Sequence, residues 1–285
     1  MWLAYRPPYD WRQVIGFFAA RAIPGVERVD GGVYARTWRD GEQAGHVRVA
    51  AGDGALDVTI DAAAPAAVLA RVRFAFDLDR DPAALEAHFA GDALLQAAIA
   101  RRPGLRVPGG WDGFELAVRA VLGQQVSVVA ARGLAGRLVA LCDVRHPEPG
   151  FGLTHLFPTP AELLGTDLDG LGMPRSRRAT LRTVAAATVA DPGLFIPAPT
   201  RDASLARLRA VPGIGDWTAQ YIALRALRDA DAFPASDIGL LRAAAANGVR
   251  PTAAALLARA EAWRPHRAYA AQHLWAADPL DPGSA

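Results

Sequence analysis

Two stretches of helical spacing meet at Val211-Pro-Gly-Ile-Gly215 with almost no residues left over for a loop. The proline and two glycines stop the first helix, and Asp216-Trp-Thr-Ala-Gln-Tyr221 starts the second at once. The chain must therefore fold back here as a tight helical hairpin, since glycine permits both the sharp turn and the close approach of another backbone. Ile214 between the glycines can plug the interhelical core. The turn also leaves amide N–H groups facing outward at a helix N-terminus, where a phosphate can sit. This is the form of a helix–hairpin–helix motif that grips a nucleic-acid backbone. An ordinary helical turn with two glycines has the same local pattern.

The rest of the chain divides into a mixed beginning and a helical remainder. Asp10-Trp-Arg-Gln13 has capping-box form, and apolar residues recur with helical spacing from about Trp11 to Ala22. Gly31-Gly32 reads as a hairpin turn between Val26–Val29 and Val33–Trp38, and period-two alternation over His46–Ala50 and Ala55–Ile60 adds strands around Gly52-Asp53-Gly54. Ala66–Phe76 is a covering helix. From Asp81 onward helices are expected over Pro82–Phe89, Ala93–Arg101, Phe114–Leu122, Val126–Leu141, Arg175–Val189, Leu205–Ala210, Trp217–Leu227, Asp237–Ala245, Thr252–Trp263 and Arg267–Ala276. Thr159-Pro-Ala-Glu162 is a further helix start, with a threonine cap, proline first and glutamate third. The fold class is α+β, with a small sheet domain over 1–88 and a helical region over 89–285. Within the helical region, about 112–229 forms a central subdomain, and about 89–111 plus 230–285 forms a second.

Composition narrows the chemistry. A length of 285 residues suits roughly two domains, and 52% hydrophobic with 21% charged residues is globular. No run approaches ~18 apolar residues, so no membrane span is expected. The start lacks the basic-then-apolar order of a signal peptide, and a cytoplasmic location is expected. The single cysteine, Cys142, cannot form an intramolecular disulfide, a four-cysteine zinc site or a four-cysteine iron–sulfur cluster. All 31 basic residues are arginine. Without a lysine the chain has no Schiff-base nucleophile and no P-loop lysine. The sequence pI near 9.0 permits nucleic-acid binding without demonstrating it. Asp237, in Phe233-Pro-Ala-Ser-Asp237-Ile, opens a helix and by itself reads as an N-cap. Trp217 and Tyr221 stand four apart on one helix face, which suits a core stripe or a pocket wall. Arg175, Arg177 and Arg178 share one turn and suit either a phosphate grip or a solvated face.

The hairpin, with Asp237 some twenty residues beyond it, resembles the helix–hairpin–helix DNA glycosylases. Across nearly the whole chain the sequence is similar to the bacterial 3-methyladenine DNA glycosylase II (AlkA-type) branch. The stretches that carry this are Pro7-Pro-Tyr-Asp-Trp11, Phe18-Ala-Ala-Arg-Ala22, Arg102-Pro-Gly-Leu-Arg106, Val118-Arg-Ala-Val-Leu-Gly-Gln-Gln-Val-Ser127, Phe157-Pro-Thr-Pro160, Leu171-Gly-Met-Pro174, Pro212-Gly-Ile-Gly-Asp-Trp-Thr-Ala219 and Tyr269 through Trp275. The resemblance implies a TATA-binding-protein-like α/β domain followed by two all-helical subdomains that flank a cleft. It implies a catalytic role for Asp237 and an aromatic base pocket of Trp217, Tyr221 and Trp275, with Phe17 as a fourth wall. Gly213, Gly215 and Thr218 fall on the hairpin that meets the DNA backbone, and Gln125 falls on the side chain that wedges into the duplex. Gln125 departs from the familiar leucine, and Ile238 stands where an aromatic is expected. The resemblance further implies double-stranded DNA with damaged bases as partner and a nucleoid-associated monomer. No cofactor is required, and a monovalent cation can bridge the hairpin and a phosphate. Relatives that also cut the strand use a hairpin lysine, so this chain is expected to release alkylated purines and leave the abasic site intact. Action on deaminated or other damaged bases, or non-catalytic binding of distorted DNA, stays as an alternative.

Overall fold

The computed structural model of the chain describes residues 1–60, 66–246 and 248–278. The last residues of the second helical subdomain, 279–285, lie outside it. Five antiparallel strands form the first sheet: β1 (Trp2–Ala4), β2 (Glu27–Asp30), β3 (Val33–Asp40), β4 (Gln43–Ala51) and β5 (Ala55–Ile60), in the order β1-β5-β4-β3-β2. Gly31 and Gly32 both take positive φ, the requirement of a two-residue hairpin turn whose twist matches its strands. Helix α1 (Trp11–Arg21) and helix α2 (Ala66–Ala75) pack on this sheet. Phe18, Tyr34 and Phe76 close a ring cluster between them, with Val47 and Val58 below. Asp10 caps α1 through the Gln13 amide, but the Gln13 side chain is buried, and no bond back to Asp10 completes the expected box.

The remainder is mostly helical. The helices are α3 (Pro82–His88), α4 (Ala93–Arg101), α5 (Gly113–Leu122), α6 (Val128–Cys142), α7 (Pro160–Gly165), α8 (Arg175–Ala190), α9 (Arg201–Arg209), α10 (Asp216–Arg225), α11 (Ile238–Ala243), α12 (Ala253–Ala260) and α13 (Arg267–Ala277). Helix α5 is apolar nearly all round because α6, α8 and α10 cover it. Helix α13 packs between α4 and α11. Thr159 and Glu162 make the reciprocal capping box that opens α7. Helix α9 begins earlier than apolar spacing indicates, because its first turn is Arg201-Asp202 and its start is set by the Thr200 cap.

Within the region expected to be all helical lies a two-stranded ribbon, β6 (Arg145–Gly150) and β7 (Leu153–His155). Pro147 and Pro149 mask β6 in the sequence; they are tolerated because a two-stranded ribbon leaves unpaired edges. The ribbon rests on the first sheet, where the His46 and His146 rings lie 4.3 Å apart and the Thr37 hydroxyl donates to the His155 carbonyl at 2.8 Å. A second join is ionic. Arg36 of β3 pairs with Glu115 of α5 at 2.8 Å, and Arg119 bridges Glu115 and Glu27. No helix among the described residues is long and apolar enough to cross a membrane.

Candidate active site

The hairpin forms as the sequence requires, and its two glycines have different tasks. Gly213 has φ +91, and a Cβ there would lie 2.1 Å from the Thr180 hydroxyl of α8. Glycine is obligatory on both counts. Gly215 has an ordinary φ of −80, and a Cβ there would meet open space. It holds the N-cap position of α10 with no side chain capping the helix, so the first amides are not capped from within. Ile214 is buried in the main core. Thr218 turns inward and its hydroxyl accepts the Gln124 amide at 3.1 Å; the same amide donates to the Gly213 carbonyl at 3.2 Å. Arg177 donates to the Gln124 carbonyl and Arg178 pairs with Asp169, so two of the three clustered arginines brace the fold, while Arg175 is exposed.

One cleft of about 1460 Å³ is lined by all nine residues singled out from the sequence. Asp237 is the helix N-cap that its position suggested. Its Oδ1 caps α11 by accepting from the amides of Gly239 at 2.9 Å and Leu240 at 3.2 Å. The same carboxylate faces the cleft, where Trp217 Nε1 donates to Oδ2 at 2.8 Å and Trp275 Nε1 donates to Oδ1 at 2.9 Å. Four N–H donors from three helices thus fix one carboxylate, half-buried, at the wall of the cavity.

The aromatic wall is built on two helices. Trp217 and Tyr221 stack at 5.3 Å with planes 12° apart, and Trp275 stands nearly edge-on to Tyr221. Phe17 reaches in from α1 and is 8% exposed. Gln125 is exposed in the turn between α5 and α6, with φ +58. Ile238, beside Asp237, is 52% exposed at the lip.

Three neighbours carry no sequence signal of their own. Gln124 ties the α5–α6 turn to the hairpin, as above. Asp278, a second carboxylate on the cavity wall, is held by Arg242 through contacts of 3.2 and 2.6 Å. A Cβ on Gly239 would come within 3.1 Å of both Asp237 and Asp278, so the two carboxylates flank the glycine closely. The third is Arg225, whose Cζ lies 4.5 Å from the Phe17 ring centroid and 5.2 Å from those of Tyr221 and Trp275. Among the described residues no group of three or more His, Cys, Asp and Glu side chains is arranged to hold a metal ion.

Residues 1–112 match the family of AlkA N-terminal domains. Over 284 residues the chain is 41% identical to a Mycobacterium tuberculosis protein described as a bifunctional transcriptional activator/DNA repair enzyme AlkA, covering 96% of this chain and 56% of that one. The chain therefore spans little more than half the length of that relative. It is 37% identical to Escherichia coli DNA-3-methyladenine glycosylase 2 over 292 residues, with 99% of each chain covered. The solved 3-methyladenine DNA glycosylase of Archaeoglobus fulgidus shares the fold at a TM-score of 0.85, with 23% identity over 98% of this chain and 99% of that one.

Proposed function

The chain belongs to the AlkA family of DNA-3-methyladenine glycosylases, and from that premise we propose that it is a monofunctional DNA glycosylase acting as a monomer on alkylated purines in duplex DNA. The observation that carries this reading is the Asp237 carboxylate, fixed by two indole N–H groups and two amides on the wall of an aromatic cleft. Such a carboxylate can stabilise positive charge building at C1′ and orient an attacking water.

A base inside a duplex is out of reach, so the nucleotide must rotate out at a cost of a few kcal/mol. Damage weakens pairing and lowers that cost. In this reading Gln125 enters the vacated stack from its exposed turn, and the uncapped amides of α10 receive a backbone phosphate. A purine alkylated at N3 or N7 carries positive charge and leaves as a neutral base, so no strong general acid is needed. The buried Asp278, engaged with Arg242, is not required as one. With no lysine in the chain, the abasic product is left uncut. A monovalent cation between hairpin carbonyls and a phosphate belongs to the same proposal, and no other cofactor is required.

The test is release of free base from methylated duplex DNA by the wild type and Asp237→Asn side by side. The wild type is expected to release 3-methyladenine and 7-methylguanine. The variant should bind DNA and release neither, a loss of at least about a hundredfold for a charge-stabilising group of this kind. Turnover retained in the variant would remove Asp237 from the mechanism. No release from a folded, DNA-binding wild type would reject alkylated purines as substrates.

A further inference from the structure

Arg225 is 2% exposed, and its guanidinium donates to the Pro108 carbonyl at 2.6 Å and to Gln272 Oε1 at 3.0 Å. It sits against three of the four rings of the proposed base pocket, Phe17, Tyr221 and Trp275. On α10 the residues Trp217, Tyr221 and Arg225 follow at four-residue steps. The Tyr221 ring therefore lies between the indole and the guanidinium. Trp217 touches Asp237 at one end of this ladder, and Arg225 closes the other about 12 Å along the helix axis. A pocket built only to attract cationic bases would leave the ring faces unopposed. Here a fixed cation already occupies them from behind.

We propose that Arg225 is an electrostatic partner to Asp237, a positive charge beyond the base that draws the glycosidic electron pair onto it while Asp237 supports the sugar. The proposal rests on the glycosylase reading. The C1′–N bond breaks with both electrons going to the base nitrogen, and water supplies the new C1′–O bond. A cationic base leaves neutral and one water proton is released; a neutral base leaves as an anion that takes that proton. In both cases the base gains one unit of negative charge on the way to the transition state, so Arg225 lowers both barriers. Only the cationic base is repelled in the ground state. The charge therefore weakens binding of cationic bases while accelerating their departure, and accelerates neutral bases without that binding penalty.

The experiment compares single-turnover rates and KM on duplexes carrying 7-methylguanine, a cation, or hypoxanthine, a neutral base. Wild type is set against Arg225→Gln and Arg225→Lys, with Arg225→Met as the neutral variant should Gln not fold. A unit charge acting over about 12 Å, the length of the ladder, at an effective dielectric of ~20 changes a rate by on the order of tenfold. The neutral variants should lose about that factor in rate on both substrates. Their KM should fall for 7-methylguanine only, so kcat/KM drops for hypoxanthine and is nearly kept for 7-methylguanine. Lysine should restore most of the wild-type pattern. Equal changes in kcat/KM on both substrates, or a lysine variant no better than glutamine, would overturn the role of the charge. Wild type releasing neither base would instead remove the glycosylase reading beneath it.

Discussion

His273 stands two residues before Trp275 on α13, 5% exposed, and burial pushes its pKa down from 6.5 to about 4. A depressed histidine means that the unfolded chain takes up a proton at a pH where the folded chain does not. The stability held by the neutral ring is full above pH 6.5 and drains as the pH falls toward 4, by about 3 kcal/mol in total. Burial also lowers His146 and His266, so the wild-type slope has more than one contributor. The expected outcome is therefore a difference: denaturant unfolding of His273→Gln should lose about 3 kcal/mol less than wild type between pH 6.5 and 4. Parallel curves for the two proteins would show that burial leaves the protonation of His273 the same in the folded and unfolded chains. At this scale the sequence revealed some residues and hid others for physical reasons. The Asp237 cap and the shared face of Trp217 and Tyr221 showed themselves through spacing, because a helix cap and an i,i+4 pair are local, whereas Phe17 and Trp275 were marked only by the family resemblance. Arg225 reads as one more surface cation in Ala223-Leu-Arg-Ala-Leu227, since nothing local says that two rings from two other helices, Phe17 and Trp275, will close over it. Asp278 was equally silent, because its partner Arg242 is distant in the chain.

Elements were legible where one helix or hairpin sets its own ends, and illegible where packing sets them. The Gly31-Gly32 turn and the Thr159 capping box are local chemistry and formed as read. Strand β1 is three residues long and exists because β5 pairs with it; β6 carries two prolines and exists because the first sheet supports it. The helical hairpin lies between these cases. Its turn is local, but the need for glycine differs at its two positions. Gly213→Ala must place a Cβ against Thr180 in a left-handed backbone, and a loss of about 2–3 kcal/mol is expected, with weaker DNA binding. Gly215→Ala meets open space and should fold with a change within about 0.5 kcal/mol. Its added methyl would lie where the proposed phosphate approaches, so its DNA affinity should still fall severalfold. Thermal melts and DNA titrations of the pair check this. Equal stability losses would mean that the turn, not the Thr180 contact, sets the requirement at Gly213. Unchanged affinity in Gly215→Ala would place the DNA backbone elsewhere.

At the scale of the whole molecule the cleft is bounded on one side by Phe17, from the helix on the first sheet, and on the other by α10, α11 and α13. Its shape therefore depends on how the sheet is fastened to the helices. The fastening is a buried ionic cluster: Arg36 lies between Glu115 and Glu27, Arg119 meets both carboxylates, and the Tyr34 hydroxyl donates to Glu27 at 2.7 Å. Arg36 also packs on Trp111, with its Cζ 4.4 Å from the ring. Arg36 and Arg119 hold the Glu115 carboxyl well below the usual carboxylate range despite its burial. That stability is present above the ordinary glutamate value and is lost as the pH falls through the lowered one, a window more acidic than that of His273. Arg36→Met leaves two buried carboxylates sharing one cation, and a loss of about 3–5 kcal/mol is expected. Removing the charge on both sides, with Arg36→Met and Glu115→Gln together, should cost less than Arg36→Met alone, because no surplus carboxylate remains. Denaturant unfolding of the two singles and the double closes this cycle. If the double variant loses as much as the sum of the singles, the residues are not coupled and the cluster does not fasten the sheet. If they are coupled, base release should fall in Arg36→Met even where the protein is fully folded, since Phe17 and the helical wall must meet around one base.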